Sequence, residues 1–385
     1  GYQDRNAVGQ VVRIDRHDRI GRRLRGVGQV DLGDAPTVAL GPGGTVLATG
    51  SVYNDQHESG AAAFLWPPSA QTARQTMLVP FDISGPGYAE TAVSPRGVAL
   101  VVSNPVSSYY VQAAVSVKGK PWRITRLAST PANYVLDASF DSRGRALVTW
   151  VRARPHTRTV TVRVATSDTR GRFAPARVVA HVPVGQILDC LTTPRGGQIL
   201  FLEVDGGRRS ALRTMTRAPG GRFGRPQRVG YFARTPGPYV DPDSAFAAAV
   251  GQGGRAYALW SAPEPRGRAV EAATLAPGTS RFQRLGRFAP LAHDLVVGVD
   301  AHGRAVAAYS VPGGGERSSV HAATTPAAGA RFGRPHRLSH GRPHSTKCGQ
   351  PAVATSPAGQ ALIGWDCSST GTISRDRVQF ARYSP

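Results

Sequence analysis

One short pattern recurs along the whole chain and limits what it can fold into: a turn glycine followed by a short apolar run. It is plainest in "DSRGRALVTW" (141–150), "GQGGRAYALW" (251–260), "DAHGRAVAAY" (300–309) and "SPAGQALIGW" (356–365). Alignment on the turn glycine gives seven copies, at Gly44, Gly97, Gly144, Gly196, Gly254, Gly303 and Gly359, spaced by 53, 47, 52, 58, 49 and 56 residues. Alanine stands two positions later at Ala99, Ala146, Ala256, Ala305 and Ala361, and an aromatic residue six positions later at Trp150, Trp260, Tyr309 and Trp365. A glycine turn flanked by apolar runs is the signature of a β-hairpin. Small-residue segments such as "QPAVAT", "AFAAAV" and "LVVGV" precede several of these turns and predict strands in a crowded place.

Between hairpins lies a second recurring element. An alternating strand, such as "TVTVRVATS" (159–167), "SSVHAATT" (318–325) or "YYVQAAVSV" (109–117), leads to an aromatic residue and then to Arg-Val or Arg-Leu. Examples are Phe173 with Arg177, Phe223 with Arg228, Phe332 with Arg337 and Trp122 with Arg126. Strict alternation marks strands with two different faces. The unit is therefore four strands in about 50 residues, the period of a propeller blade. The expected fold is all-β: a single seven-bladed β-propeller domain over 1–385, with four-stranded antiparallel blades. The C-terminal blade supplies only three strands, ending in "DRVQFARY". The segments "VGQVVRID" (8–15) and "RLRGVGQVDL" (23–32) make residues 1–34 the source of an N-terminal strand that closes the last blade and covers two sheet edges.

Composition narrows the function classes. The net charge of +23 suggests an acidic partner. However, Lys118, Lys120 and Lys347 are the only lysines, and the arginines are spread through every repeat without a nucleic-acid-binding motif. No specific nucleic-acid partner is expected, and weak adhesion to anionic polymers needs no dedicated site. No run of about 18 apolar residues is present, so no transmembrane segment is expected. The chain reads as a monomer of the extracellular space or cell envelope whose signal peptide has been removed.

The turns within the first hairpin and those written "TRGRF", "APGGRF" and "AAGARF" are short and uniform, and fall on one face of a propeller. The connections on the other face are irregular: "VYNDQHESG" (52–60), "SNPVSSYY" (103–110), "GYFARTPGPYVDPDSA" (230–245) and "SHGRPHSTKCGQ" (339–350). Irregular loops on a repeated scaffold are where binding resides. The candidate site residues are accordingly Asp55, His57, Glu58, Tyr109, Tyr110, Tyr239, Asp241 and Asp243. Paired carboxylates serve glycosidic acid–base work or calcium binding, but "DPDS" lacks the spaced ligands and glycine of a calcium loop.

His336, His340, His344 and Cys348 recur at intervals of four, which would share a face only on a helix. Pro335, Gly341 and Pro343 forbid one, so no metal site is expected. Cys348 is assigned instead to a disulfide. If Ser356 faces Gly359 across the last turn, Cys348 faces Cys367, near enough to bond in an oxidising compartment. Cys190, in "ILDCLT", reads as a buried thiol outside any disulfide. No nucleophile elbow, zinc-protease helix, P-loop or dinucleotide fingerprint occurs, and no cofactor is expected.

The repeat D-x-x-G-x-A-x-x-x-W followed by G-R-F, a proline and R-[VL], clearest at Asp141–Trp150 with Gly171–Val178, resembles secreted bacterial β-propellers of the sialidase-like and WD40-like type. The resemblance covers essentially the whole chain. It implies a propeller, without implying a particular chemistry. The intact Asp-box of sialidases, Ser-x-Asp-x-Gly-x-Thr-Trp, is absent, and the arginine triad and Tyr–Glu nucleophile pair of that family cannot be matched to positions here. The expected function is a non-catalytic propeller that binds a protein or glycan through its irregular face. The alternative is a sialidase-like glycoside hydrolase or lyase with its active site where the central channel of the propeller opens on that irregular face.

Overall fold

The computed structural model describes 29 strands and most of their connections. Residues 1–11, 15–19, 24–32, 41–45, 54–58, 67–73, 83–87, 95, 105–109, 118–119, 130–133, 154–158, 184–185, 206–209, 233–244, 265–266, 291, 314–317, 340–345, 356–360, 370–376 and 384–385 lie outside the described residues. Two compact units are distinguished, residues 1–183 and 184–385.

The first unit opens with the two-stranded ribbon β1 (Val12–Ile14) and β2 (Ile20–Arg23). Three four-stranded sheets follow. The first is β3 (Gly33–Leu40), β4 (Val46–Tyr53), β5 (Ser59–Trp66) and β6 (Arg74–Asp82); the second is β7 (Tyr88–Val93), β8 (Val98–Asn104), β9 (Val111–Val117) and β10 (Arg123–Ala128). The third is β11 (Tyr134–Phe140), β12 (Ala146–Ala153), β13 (Thr159–Thr166) and β14 (Arg177–Pro183).

The second unit contains two more such sheets. They are β15 (Gln186–Thr192), β16 (Gln198–Asp205), β17 (Ser210–Arg217), β18 (Gln227–Tyr231), and β19 (Phe246–Val250), β20 (Ala256–Glu264), β21 (Gly267–Leu275), β22 (Gln283–Pro290). The strands β23 (His293–Val299), β24 (Ala305–Pro312), β25 (Ser318–Thr324) and the two-residue β26 (His336–Arg337) form a further antiparallel set. A single parallel pairing, Ser318 with Lys347, joins it to β27 (Thr346–Thr355), β28 (Ala361–Ser369) and β29 (Arg377–Tyr383).

In each four-stranded sheet the order in space follows the order in sequence and neighbours are antiparallel, as the hairpin repeat predicts; the parallel contact of β25 with β27 is the exception in the last sheet. The turn glycines have the left-handed backbone that such turns require: φ is 73° at Gly97, 77° at Gly144, 81° at Gly196, 81° at Gly254 and 77° at Gly303. The Asp of the repeat locks the turn. Asp141 Oδ1 accepts the backbone N–H groups of Arg143 (3.0 Å) and Arg145 (2.9 Å), while Arg145 Nε donates to Oδ2 at 2.7 Å. Asp300 repeats this with His302 and Arg304. Ser94 does part of the same work with its hydroxyl.

Period-two alternation explains how a strand can be buried on both faces. Ala305, Ala307 and Tyr309 of β24 pack toward β20 and β21, whereas Val306 and Ala308 pack toward β25 and β28. The aromatic residue six positions after the turn faces the preceding sheet: Trp150 toward β8 and β9, Trp260 toward β16 and β17, Tyr309 toward β20 and β21, Trp365 toward β24 and β25. The recurring aromatic after the second turn closes the same cores from the outer side, as Phe332 does beside Tyr257.

First strands are the crowded place that their small residues predicted. A Cβ on Gly298 of β23 would come within 2.7 Å of both Val353 Cγ1 and Thr355 Cγ2 on β27.

The disulfide joins Cys348 and Cys367, and Cys190 is buried outside it. The register that delivers it differs from the simple count. Near the turn the pairs are Thr355–Ala361 and Val353–Ile363, one residue off the expected register. An irregularity between Gly349 and Ala352 then shifts the pairing so that Cys348 meets Cys367.

Candidate functional site

The hairpin turns and the turns between third and fourth strands sit at one end of each sheet, a necessity of antiparallel order. Those among the described residues are similar short closed turns, so the described part of that end presents little variation. At the opposite end five first strands are interrupted, whereas β7 and β19 pair without a shift. Pairing with the second strand shifts between Gly33 and Thr37 in β3, Val135 and Asp137 in β11, Ile187 and Asp189 in β15, His293 and Val296 in β23, and Gly349 and Ala352 in β27. A bulge breaks the in–out alternation and re-aims the side chains beside it. Functional groups are therefore to be sought on first strands next to these bulges.

Two groups of residues stand out, one in each unit. In the first unit Glu90 of β7 and Asp137 of β11 each lie seven residues before their turn glycine, as does Asp189 in its own repeat of the second unit. Glu90 is solvent-exposed on β7, although protein atoms crowd around its carboxyl. Burial, and secondarily the negative charge of Asp137, pushes its carboxyl up to about 7. Asp137 Oδ2 accepts the Ser139 hydroxyl at 3.0 Å. The two acids thus have different surroundings: burial raises one, and a hydroxyl donor holds the other. Asp189 Oδ1 accepts the Cys190 backbone N–H at 2.6 Å.

In the second unit the bulge of β23 places His293 opposite Ser310 of β24 and holds Asp294 at φ 51°, the only left-handed non-glycine among the described residues. That conformation costs on the order of 1 kcal/mol and persists only when its surroundings impose it. His293 Nδ1 lies 3.0 Å from Asp294 Oδ2. Ser310 is fully buried, and its Oγ finds no hydrogen-bond partner among the described residues. Gly349 on β27 faces this group: a Cβ there would stand 3.4 Å from Asp294 Oδ2 and 3.6 Å from Ser310 Oγ. The strand is pinned beside it by the Cys348–Cys367 bond and by the Ser318 hydroxyl, which donates to the Cys348 carbonyl at 2.6 Å.

Of the residues singled out by sequence, Asp55, His57, Glu58, Tyr109, Tyr239, Asp241 and Asp243 lie outside the described residues. Tyr110 is half-buried just before β9, two strands away from β7, with the Arg126 guanidinium 4.6 Å over its ring. His336 is exposed on β26 and Cys348 is committed to its disulfide, while His340 and His344 lie outside the described residues. Among the described residues no three His, Cys, Asp or Glu side chains gather as metal ligands. Sequence reading missed Glu90, Asp137, Asp294, Ser310 and Gly349. Counting back seven from each turn glycine would have found the acids; nothing in the sequence announces the bulge that brings Asp294 to Gly349.

No protein-family model matches this chain, and no curated protein matches it. Among solved structures it is similar to the β-propeller domain of the Trilobed protease from Pyrococcus furiosus, at 9% identity and a TM-score of 0.51, over 90% of this chain and 93% of that one. It is also similar to a puromycin hydrolase S511A mutant (18% identity, TM-score 0.49, 86% of this chain) and to the polysaccharide lyase Uly1 (9%, 0.49, 94% of this chain and 92% of that one). The chain spans 50% of the length of the puromycin hydrolase. With its all-β sheets of sequential antiparallel strands, the chain has a β-propeller fold. No helix among the described residues is long and apolar enough to cross a membrane.

Proposed function

We propose that this β-propeller is a non-catalytic, monomeric binding module of the extracellular space or cell envelope, taking a protein or glycan partner at the end of its sheets away from the hairpin turns. One observation carries the reading. The described part of the turn end is built of similar closed turns, whereas at the other end five first strands bulge and redirect polar side chains such as Asp137 and Asp294. The disulfide suits an oxidising compartment. In this reading seven blades form the ring, residues 1–34 supply the strand that completes the last, and Asp55, His57, Glu58, Tyr109, Tyr110, Tyr239, Asp241 and Asp243 line the irregular end.

The test is retention of the purified chain on immobilised neutral and uronic-acid polysaccharides at about 0.5 M salt, where adhesion through scattered arginines is screened. Retention that falls with Asp137→Ala, beside a first-strand bulge, and not with Arg143→Ala at the turn end, supports the reading. Equal loss from both variants, or loss with salt alone, removes it.

A second reading, an acid–base enzyme cleaving glycans, is favoured by Glu90 and Asp137. A carboxyl pushed up to about 7, with a second acidic residue acting on it electrostatically, is a pattern such chemistry uses. Glu90→Gln would then abolish release of new chain ends from a polysaccharide while leaving retention intact. Absence of any such release from the wild type leaves the binding module alone.

A further inference from the structure

We infer that the space above Gly349, bounded by Asp294 and Ser310, is a subsite for one hydroxyl group of a glycan. The inference rests on the binding-module reading and adds the ligand chemistry to it. Two oxygens, Asp294 Oδ2 and Ser310 Oγ, both lie within 4 Å of the point that a Cβ of residue 349 would occupy, and glycine leaves that point empty. Ser310 Oγ is fully buried without a partner among the described residues, so it has a donor proton and lone pairs to offer. Asp294 is held at φ 51° with its carboxylate beside this space, an arrangement a relaxed strand would not adopt.

The chemistry selects a hydroxyl. A carboxylate accepts from O–H, and a serine hydroxyl can then donate to the same oxygen, so one sugar hydroxyl satisfies both groups. An anionic group would meet the Asp294 carboxylate, a like charge, at this point, which disfavours it. A cationic ligand is opposed by the net charge of +23 and by His293, which already stands 3.0 Å from the Asp294 carboxylate. His293 and Asp294 are part-exposed, so the opening is on the solvent side. It lies at the end of β23 away from the hairpin turn, where the proposed partner docks.

The test uses the full chain with methyl glycosides of glucose, galactose and mannose and with glucuronate, followed by saturation-transfer NMR and calorimetric titration. The neutral and acidic probes separate the two sources of a sugar hydroxyl. At least one probe is expected to bind, and Gly349→Ala and Ser310→Ala are each expected to weaken it tenfold or more. Gly349→Ala places its methyl at ordinary contact distance and should fold normally. Ser310→Ala removes a buried hydroxyl unpaired among the described residues and should melt at the same or a higher temperature than the wild type, a combination that a merely structural role does not produce. Asp294→Gly should relieve the left-handed backbone and likewise lose the probe, which keeps the test decisive if one alanine variant is unstable. Wild-type affinity in all three variants overturns the subsite and leaves the binding module standing. A wild type that binds none of these probes and none of the polysaccharides overturns the glycan reading itself.

Discussion

Gly230 of β18 is the sharpest place to test how the aromatic of the repeat sets the spacing between sheets. A Cβ there would stand 2.5 Å from Cζ2, 2.7 Å from Cε2 and 2.9 Å from Nε1 of Trp260. Carbon atoms are at ease at about 3.5–4.0 Å, so Gly230→Ala falls short by roughly 1 Å. The indole has nowhere to go, being fully buried in a cluster with Phe201, Phe232 and Phe246. Overpacking of this kind costs about 1–3 kcal/mol, and the depth of overlap places this case near 3 kcal/mol. Trp260→Leu alone should cost about 3 kcal/mol from lost packing, less the benefit of deleting an indole N–H that has no partner among the described residues. With the indole gone the new methyl has room. The double variant should therefore cost about as much as Trp260→Leu alone, a coupling of about −2 to −3 kcal/mol where additivity would give zero. Urea unfolding followed by both tryptophan fluorescence and far-ultraviolet dichroism reads the values and shows whether the two probes coincide. Gly253→Ala, whose Cβ would meet only Ala301 O at 3.5 Å, is the control. An additive double variant, or Gly230→Ala within about 0.5 kcal/mol of that control, would refute the packing argument.

Three further outcomes are expected. Reducing or deleting the Cys348–Cys367 bond, whose partners are 19 residues apart, should lower stability by about 3 kcal/mol on the chain-entropy relation; unchanged urea midpoints with and without reductant would contradict it. Asp141→Ala, which strips two backbone N–H groups and Arg145 of their acceptor, should cost about 2–3 kcal/mol. The equivalent Asp300 is raised by burial but lowered more by its bonds to Arg304, so its net pKa is depressed and its contribution is present above the ordinary carboxylate value and lost as pH falls below it; melting curves of wild type and Asp300→Asn should converge toward acid pH. Glu90 has the opposite sign. Its folded-state pKa of about 7 lies above the ordinary 4.5, so the folded chain holds the extra proton between these values and stability declines as pH rises through that window. Glu90→Gln should flatten the slope, and a slope identical to wild type between pH 4.5 and 7 would show that Glu90 titrates normally.

What the sequence made legible is what repetition enforces. The five described hairpin turns each need a residue able to adopt φ near +75°, and only glycine does so without strain, which is why glycine marks the repeat in the sequence. The aromatic six positions on must reach the same face of the second strand each time, because an even offset preserves the face. Trp150, Trp260, Tyr309 and Trp365 do reach it, each toward the preceding sheet. The aspartate of the motif was read as part of a resemblance; its physical role is to close the turn through Asp141 and Asp300.

The candidate site was far less legible, and the last hairpin shows why. A bulge inserts a residue into one strand without any compositional mark, because the extra residue is paid no special chemistry; only the pairing beyond it changes. Counting outward from the last turn at the observed register would set Cys348 opposite Ser368, and the irregularity after Gly349 is what returns it to Cys367. The same device at His293–Val296 turns Asp294 out of alternation and toward Gly349, a residue 55 positions away. Alternation read from sequence assumes an unbroken strand, so it assigns faces correctly up to the bulge and wrongly past it. The cores lie on the unbroken side, next to the turns, and the polar groups lie on the other. That division is why the fold of this chain follows from its repeats, while its chemistry follows from where the repeats are interrupted.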